Sequence, residues 1–272
     1  PEAFRTYRPE DIVPPPNVPR PLAAFAREEL AEYYGNISAL DAEMGRLLDA
    51  LDRLDLARDT IVVFTSDHGD HLWSHGYGKP GDRWLHPSKR ASKATPYEES
   101  IHVPFILRWP ARVDAAARSD VLLGTVDIMP TLLGLCGVEA PGDLAGTDLS
   151  HAAAGGEGPE PDSVYLQNMG EGWPYRGEWV GFWRGVRTPR WTYARWLNDE
   201  HPRMLLDLEN DPFQRDNLAG KPEFADIEAK LEARLTRWIE ETADPFETGD
   251  RDERSGMLLL GQEYASNKWE RQ

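Results

Sequence analysis

The sequence predicts an α/β domain followed by a small α+β subdomain, and three patterns support this fold class. A long helical pattern leads directly into a short apolar run, which is the order found in half of a βαβ unit. A second apolar run of the same kind follows further along the chain. After about residue 162, short runs rich in Trp, Tyr and Val precede one amphipathic helix, which is typical of an antiparallel sheet with a helix packed on it.

Length and charge limit the classes of protein to consider. The 272 residues suffice for one large α/β domain, or for a main domain and a small one. The 47 acidic residues exceed the 30 Lys and Arg residues, giving a formal net charge of -17. This balance argues against nucleic acid as a partner, because neutralising phosphates needs a basic face. The sequence contains no apolar run long enough for a membrane span.

The first elements are an irregular segment and a helix. Residues 9–21 are rich in proline and predict an extended surface crossing. Residues 22–56 predict a helix, because apolar residues recur there at three- and four-residue spacing. Gly35 is expected to divide this helix into two pieces. The recurring apolar residues are Ile37, Leu40, Met44, Leu47, Leu48, Leu51 and Leu54.

The run that starts at Ile61 is the most informative part of the chain. Its apolar residues predict a strand buried on both faces, as in a parallel sheet. Asp67 and His68 follow the strand, at the end where α/β proteins place their ligands. A carboxylate and an imidazole there could bind one cation, although Asp and Gly are also common in ordinary turns. A zinc site made of His68, His71 and His75 is a weaker alternative, because Gly69 favours a loop over a helix.

Residues 71–92 predict a long polar loop, and residues 101–110 predict a second buried strand. A helix is expected from about Asp127 to Cys136, with proline in its first turn. Cys136 is the only cysteine, so no internal disulfide can form. We expect its thiol to be buried and structural, because it lies in an apolar helix end.

The domain organisation follows from these patterns. We expect a main domain over residues 1–160, a subdomain over residues 161–247 and a polar tail over residues 248–272. Within the subdomain, short strands separated by turn residues predict an antiparallel meander. Residues 222–242 predict an amphipathic helix. Its apolar face consists of Phe224, Ile227, Leu231, Leu235, Trp238 and Ile239.

Seven segments, in the same order along the chain, resemble motifs of the type I sulfatase family, in the alkaline-phosphatase-like superfamily. The most specific are TSDHGD at residues 65–70 and KATPYEESIHVP at residues 93–104. The others are residues 33–41, 75–76, 127–133, 206–212 and 217–219. The resemblance is to the C-terminal half of that family. It implies part of an alkaline-phosphatase-like mixed or parallel sheet flanked by helices, with an α+β subdomain after it.

The resemblance also implies roles for individual residues. Asp67 and His68 match the pair that helps to bind a divalent cation, usually Ca²⁺, with Mg²⁺ or Mn²⁺ as alternatives. Lys93 matches the lysine that contacts the sulfate group, because it lies four residues before Tyr97. Lys79 follows the His75–Gly76 step and is the less favoured candidate for the same role. The alternative for both lysines is that they are ordinary solvent-exposed side chains without a role in binding.

Other parts of the family's active site have no match in this chain. The family's catalytic formylglycine is made from Cys or Ser in a Cys-x-Pro-x-Arg motif, whereas Gly137 and Val138 follow Cys136. We therefore expect the missing N-terminal half of the same protein as a partner, a sulfate ester as substrate, and an inactive chain in isolation. Phosphonate monoester or phosphodiester hydrolysis, and non-catalytic anion binding, are the alternative functions.

Overall fold

The computed structural model describes residues 4–76, 93, 95–142, 144–168, 182–197 and 202–247. The helices are α1 Ala23–Arg53, α2 Glu98–Ile101, α3 Ile128–Cys136, α4 Ser150–Ala153 and α5 Ala225–Glu241. The strands are β1 Val62–Thr65, β2 Phe105–Arg108, β3 Val164–Asn168, β4 Trp183–Arg187, β5 Trp191–Trp196 and β6 Met204–Asp207. No helix among the described residues is long and apolar enough to cross a membrane.

The chain forms two compact units. Unit 1 comprises Pro1–Lys93 and His102–Pro161, and unit 2 comprises Ala94–Ile101 and Asp162–Gln272. Segment Ala94–Ile101 therefore groups with the second unit, although it lies within the predicted first domain. The predicted tail over residues 248–272 is outside the described residues.

Helix α1 of unit 1 is continuous, so the expected break at Gly35 is wrong. A Cβ atom at this position would lie 2.7 Å from the carbonyl oxygen of Phe4. Glycine therefore permits the N-terminal segment to lie directly against the helix. The first turns of α1 pack in a small core with the proline-rich segment and a later loop. This core consists of Ile12, Val18, Leu22, Ala26, Leu30, Ala31 and Trp73.

Strand β1 differs from its predicted environment. It pairs with β2 in an antiparallel two-stranded sheet, with Val62 opposite Arg108 and Thr65 opposite Phe105. Its residues are half-buried up to Phe64 and exposed at Thr65, so it is not covered on both faces as the apolar run predicted. A two-stranded sheet gives each strand only one hydrogen-bonded neighbour, and the second edge of β1 has no strand along it among the described residues.

Helix α3 begins and ends where the sequence predicts, with Pro130 in its first turn. Gly137 follows it with a φ of 69°, the left-handed conformation that ends many helices. The expectation of a buried thiol is wrong, because Cys136 is exposed. It lies on the outer side of the last turn, whereas Leu135 before it is buried.

Unit 2 confirms the predicted meander and its helix. Strands β3, β4, β5 and β6 form one antiparallel sheet in chain order. Helix α5 packs on one face, where buried Leu231, Leu235 and Ile239 join the core of the sheet. A second cluster, on other residues of the same strands, contains Trp183, Ala194, Trp196, Met204 and Leu206, with Tyr97 packed against it.

Candidate functional site

The turn after β1 holds Asp67 in a fixed, solvent-facing position. Its side chain is 83% exposed, and Oδ1 accepts a hydrogen bond from the backbone N–H of His68 at 3.0 Å. This bond is the main reason that the pKa of Asp67 lies below its usual value, so the carboxylate is charged at neutral pH. The hydroxyl of Ser66 donates to the carbonyl oxygen of His68 at 2.7 Å and closes the turn.

The imidazole of His68 is oriented toward this carboxylate. Nδ1 lies 2.9 Å from the carbonyl oxygen of Gly69, which can only accept, so Nδ1 carries the hydrogen. In the neutral ring Nε2 then has a free lone pair, and it lies 3.3 Å from Oδ2 of Asp67. Oδ2 of Asp67 and Nε2 of His68 therefore lie close together, and both can offer a lone pair to a metal ion.

These two ligands account for only part of a coordination shell. Across the described ranges, no group of three or more His, Cys, Asp or Glu side chains is arranged to hold a metal ion. The zinc alternative required His68, His71 and His75 to come together, and they do not form such a group. The rings of His71 and His75 instead lie edge to face, with centroids 5.9 Å apart.

The loop from Asp70 to Gly76 is strained. Leu72, Trp73 and His75 all have positive φ, at 45°, 76° and 54°, which costs energy for residues with a side chain. Packing of Trp73 in the core beside α1 offsets that cost. Gly76 is needed for close approach, since a Cβ there would lie 2.7 Å from a methyl group of Leu22.

Asn17 is a residue that the sequence did not single out. Its side-chain amide nitrogen donates to Nε2 of His75 at 3.1 Å, and its backbone carbonyl oxygen accepts the backbone N–H of His75 at 3.0 Å. The proline-rich segment therefore fixes the loop that follows the Asp67–His68 pair. No sequence signal could have identified this contact, because 58 positions separate the two residues.

The structure describes only one of the two candidate lysines. Lys93 is described and exposed, and Lys79 lies outside the described residues. The sequence-based role of either lysine stays a prediction.

Two family models match the chain, and together they cover most of it. The model described as Sulfatase matches residues 1–138. The model described as N-sulphoglucosamine sulphohydrolase, C-terminal, matches residues 90–241. The first contains the Asp67–His68 pair, and the second contains the whole sheet and helix of unit 2.

Individual relatives agree with these matches. The chain is 35% identical over 250 residues to an ulvan-active sulfatase of Formosa agariphila, covering 90% of this chain and 45% of that protein. A protein solved in complex with its substrate D-glucosamine-2-N,6-O-disulfate is 28% identical, with a TM-score of 0.66, covering 93% of this chain and 47% of the other. The chain thus spans about half the length of the curated relatives it matches.

A phosphonate monoester hydrolase of Agrobacterium radiobacter has a similar fold. The TM-score is 0.66 at 22% identity, over 89% of this chain and 47% of that one. At this identity the likeness shows the fold alone, which these neighbours establish as alkaline-phosphatase-like α/β.

Proposed function

Because the chain belongs to the sulfatase family, we propose that it supplies the C-terminal part of an enzyme that hydrolyses sulfate esters. The observation that carries the proposal is the convergence of Oδ2 of Asp67 and Nε2 of His68, 3.3 Å apart at the end of β1. This pair lies inside the region that the sulfatase family model matches.

We propose Asp67 and His68 as ligands of a divalent cation, with Ca²⁺ first and Mg²⁺ or Mn²⁺ as alternatives. The residues fit this role, because Asp67 is charged and exposed and Nε2 of His68 has a free lone pair. Carboxylate oxygens suit hard cations of this kind. When bound, the cation would polarise sulfate oxygens and stabilise the charge that develops during transfer. Ser66 and Gly69 hold the two side chains in position for it.

We assign binding of the sulfate group to Lys93, with Lys79 as the less favoured candidate. An ammonium group can donate to sulfate oxygens and balance their charge, which matters in a chain of net charge -17. The position of Lys93 before Tyr97 supports it, and its exposure leaves it accessible to solvent-borne substrate.

The nucleophile is assigned to a formylglycine outside these 272 residues. Gly137 and Val138 follow Cys136, so the only cysteine is not in a Cys-x-Pro-x-Arg motif. We propose the N-terminal half of the same protein as the partner that supplies this residue and the remaining cation ligands. The length of the curated relatives supports this. An apolar stripe on α1 supports it too, because Ile37, Leu40 and Leu47 are about half exposed within the described part of the chain.

We propose a sulfated carbohydrate as the substrate class, in preference to aryl or alkyl sulfates. The relatives described by an ulvan activity and by a bound disulfated glucosamine support this choice. Phosphonate monoester or phosphodiester hydrolysis is the alternative, with support only from the shared fold. A non-catalytic anion-binding role is a further alternative, which an intact Asp67–His68 pair disfavours.

The test uses the complete protein, with this chain joined to its N-terminal half. We expect release of sulfate from D-glucosamine-2-N,6-O-disulfate and much slower turnover of a phosphonate monoester. Lys93→Ala should lower kcat/KM on the order of 100-fold or more, whereas Lys221→Ala, an exposed lysine of unit 2, should leave it unchanged. Preferred turnover of the phosphonate ester would establish the alternative instead.

A second measurement addresses the cation. Asp67→Asn removes the charge but keeps the size of the side chain, so we expect Ca²⁺ affinity to fall by about 100-fold in calorimetric titration. The matched control is Asp59→Asn, which removes an exposed carboxylate near the start of the strand. Equal Ca²⁺ affinity in both variants would remove Asp67 from the site.

A further inference from the structure

The segment between Lys93 and β2 is bound tightly to the sheet of unit 2. Thr95 and Ser100 are buried, and the ring of Tyr97 packs against the cluster that contains Trp183 and Trp196. Burial raises the pKa of Tyr97, which is consistent with a phenol held in a largely apolar environment. This apolar contact attaches the segment to the sheet, but it does not define the orientation of the segment.

An ion pair between Arg187 and Glu98 defines the orientation of the segment. Nε and Nη2 of Arg187, at the end of β4, donate to the two carboxylate oxygens of Glu98 at 3.1 and 3.0 Å. Both side chains are largely buried, at 18% and 17% exposed. A bidentate pair with two parallel hydrogen bonds defines the orientation of the carboxylate as well as its distance.

Gln214 holds the backbone of Glu98. Its Oε1 accepts the N–H of Glu98 at 2.7 Å, and this N–H belongs to the first turn of α2, where helix N–H groups lack partners in the helix. Gln214 is 3% exposed and has a φ of 50°. A buried glutamine in a left-handed conformation is strained, which indicates that its surroundings require this geometry.

We propose that Arg187 and Gln214 are positioning residues for Lys93. They hold Glu98 at both its side chain and its backbone, and only four residues separate Glu98 from Lys93. One of these is Pro96, which restricts the backbone further. The anchoring of Glu98 therefore limits the positions that the backbone leading to Lys93 can take. This inference rests on the proposed function for its consequence in catalysis, but the anchoring itself can be tested separately.

The anchoring test uses a spin label on the 272-residue chain. Lys93→Cys in a Cys136→Ala background gives a single labelling site, because Cys136 is the only native thiol and is exposed. We expect Arg187→Ala and, separately, Gln214→Ala to shift the label spectrum toward faster motion. The control is Arg190→Ala, which breaks another bidentate pair of the same sheet, with Asp207. Far-UV circular dichroism checks that each variant is folded.

A spectrum that is the same with and without Arg187 and Gln214 would overturn the inference, whatever Lys93 does in catalysis. Arg187→Lys keeps the charge but cannot form two parallel bonds. We expect its label mobility to lie between those of wild type and Arg187→Ala. If Arg187→Ala does not fold, Arg187→Lys replaces it in the comparison with wild type.

The catalytic test is a double-mutant cycle in the complete protein. We expect Arg187→Ala to lower kcat/KM by roughly 10- to 100-fold, as misplacement of a binding group does, and to cause no further loss when Lys93 is already alanine. An equal loss in both backgrounds would show that Arg187 acts through another residue and would overturn the inference. Full activity of Lys93→Ala would instead overturn the proposed role of the lysine, and the spin-label result would then stand alone.

Discussion

Several hydrogen bonds converge on the carboxylate of Asp207, which is 4% exposed. Its two oxygens accept hydrogen bonds from Arg190 at 2.9 and 2.7 Å, and Oδ2 also accepts from the amide of Asn210 at 2.8 Å. These bonds lower the pKa of Asp207 from 3.8 to about 2, and the bonds from Arg190 contribute most. The carboxylate therefore stabilises the folded state only while it is charged.

This shift predicts a defined pH dependence of stability. Because the pKa is lower in the folded than in the unfolded chain, the contribution is complete above about pH 5 and is lost progressively as pH falls through 4 and past 2. We expect Asp207→Asn to lower the free energy of unfolding at pH 6 by about 1–2 kcal/mol, a range reduced by solvent screening at half-exposed Arg190. The difference from wild type should be small at pH 2 and should vanish only below it, where the carboxyl is protonated in the folded chain as well.

Urea unfolding at a series of pH values measures this difference. Asp41→Asn, on the exposed side of α1, is the matched control and should have little effect at any pH. A constant difference between wild type and Asp207→Asn down to pH 2 would show that packing rather than charge is responsible.

Residue contacts also show what the sequence could predict. The roles of Asp67 and His68 were inferred because both lie in one short motif at a strand end. Asn17, Arg187 and Gln214 were missed, since their contacts join positions 58, 89 and 116 residues apart. No periodicity or local motif encodes such pairs, and they become visible only when the elements are packed.

Among the elements, α1 and α5 contrast in how their apolar faces are used. The predicted face of α5 is covered by its sheet, so helical periodicity identified both the helix and its contact. The second half of α1 carries an apolar stripe with the same periodicity, but within the described residues this stripe is exposed. Three of its members, Ile37, Leu40 and Leu47, are 48–49% exposed.

The stripe on α1 predicts self-association of the 272-residue chain, because exposed apolar rows of this length favour contact with other apolar surfaces. Leu40→Lys combined with Leu47→Lys should shift the chain toward monomer in light scattering after gel filtration. In the complete protein the same pair should lower stability, since the lysines would be buried against the N-terminal half.

The control adds the same charge away from the stripe. Ala42→Lys with Asp49→Asn adds the same net charge at two exposed positions on the opposite side of α1 and should alter neither association nor stability. Wild-type chain that is monomeric at high concentration would contradict the prediction.

At the scale of the whole molecule, packing is distributed unevenly between the two units. The central strands β4 and β5 of unit 2 are almost completely buried, as Val186, Tyr193 and Ala194 show. Arg184 of β4 forms an ion pair with Asp244, in which both side chains are at most 1% exposed. Unit 1 has a smaller core, and its strand β1 is only half-buried.

This distribution predicts different local stabilities. We expect backbone amides of β5 to exchange hydrogen much more slowly than those of β1, because exchange from a buried central strand requires opening of the sheet. Hydrogen exchange followed by mass spectrometry of the 272-residue chain measures both strands in one experiment. Equal or faster exchange in β5 would mean that burial does not determine local stability here.

The grouping of Ala94–Ile101 with the second unit has a consequence for inheritance. A module that is copied or exchanged between genes must be contiguous in the chain, and unit 2 is not. Residues 162–247 transferred alone would leave behind the peptide that covers Trp183 and Trp196 and that contributes Glu98 to Arg187. Recombination between relatives is therefore expected to preserve the two segments together, and exchanges with a breakpoint between residues 101 and 162 should combine poorly unless both parents share this contact.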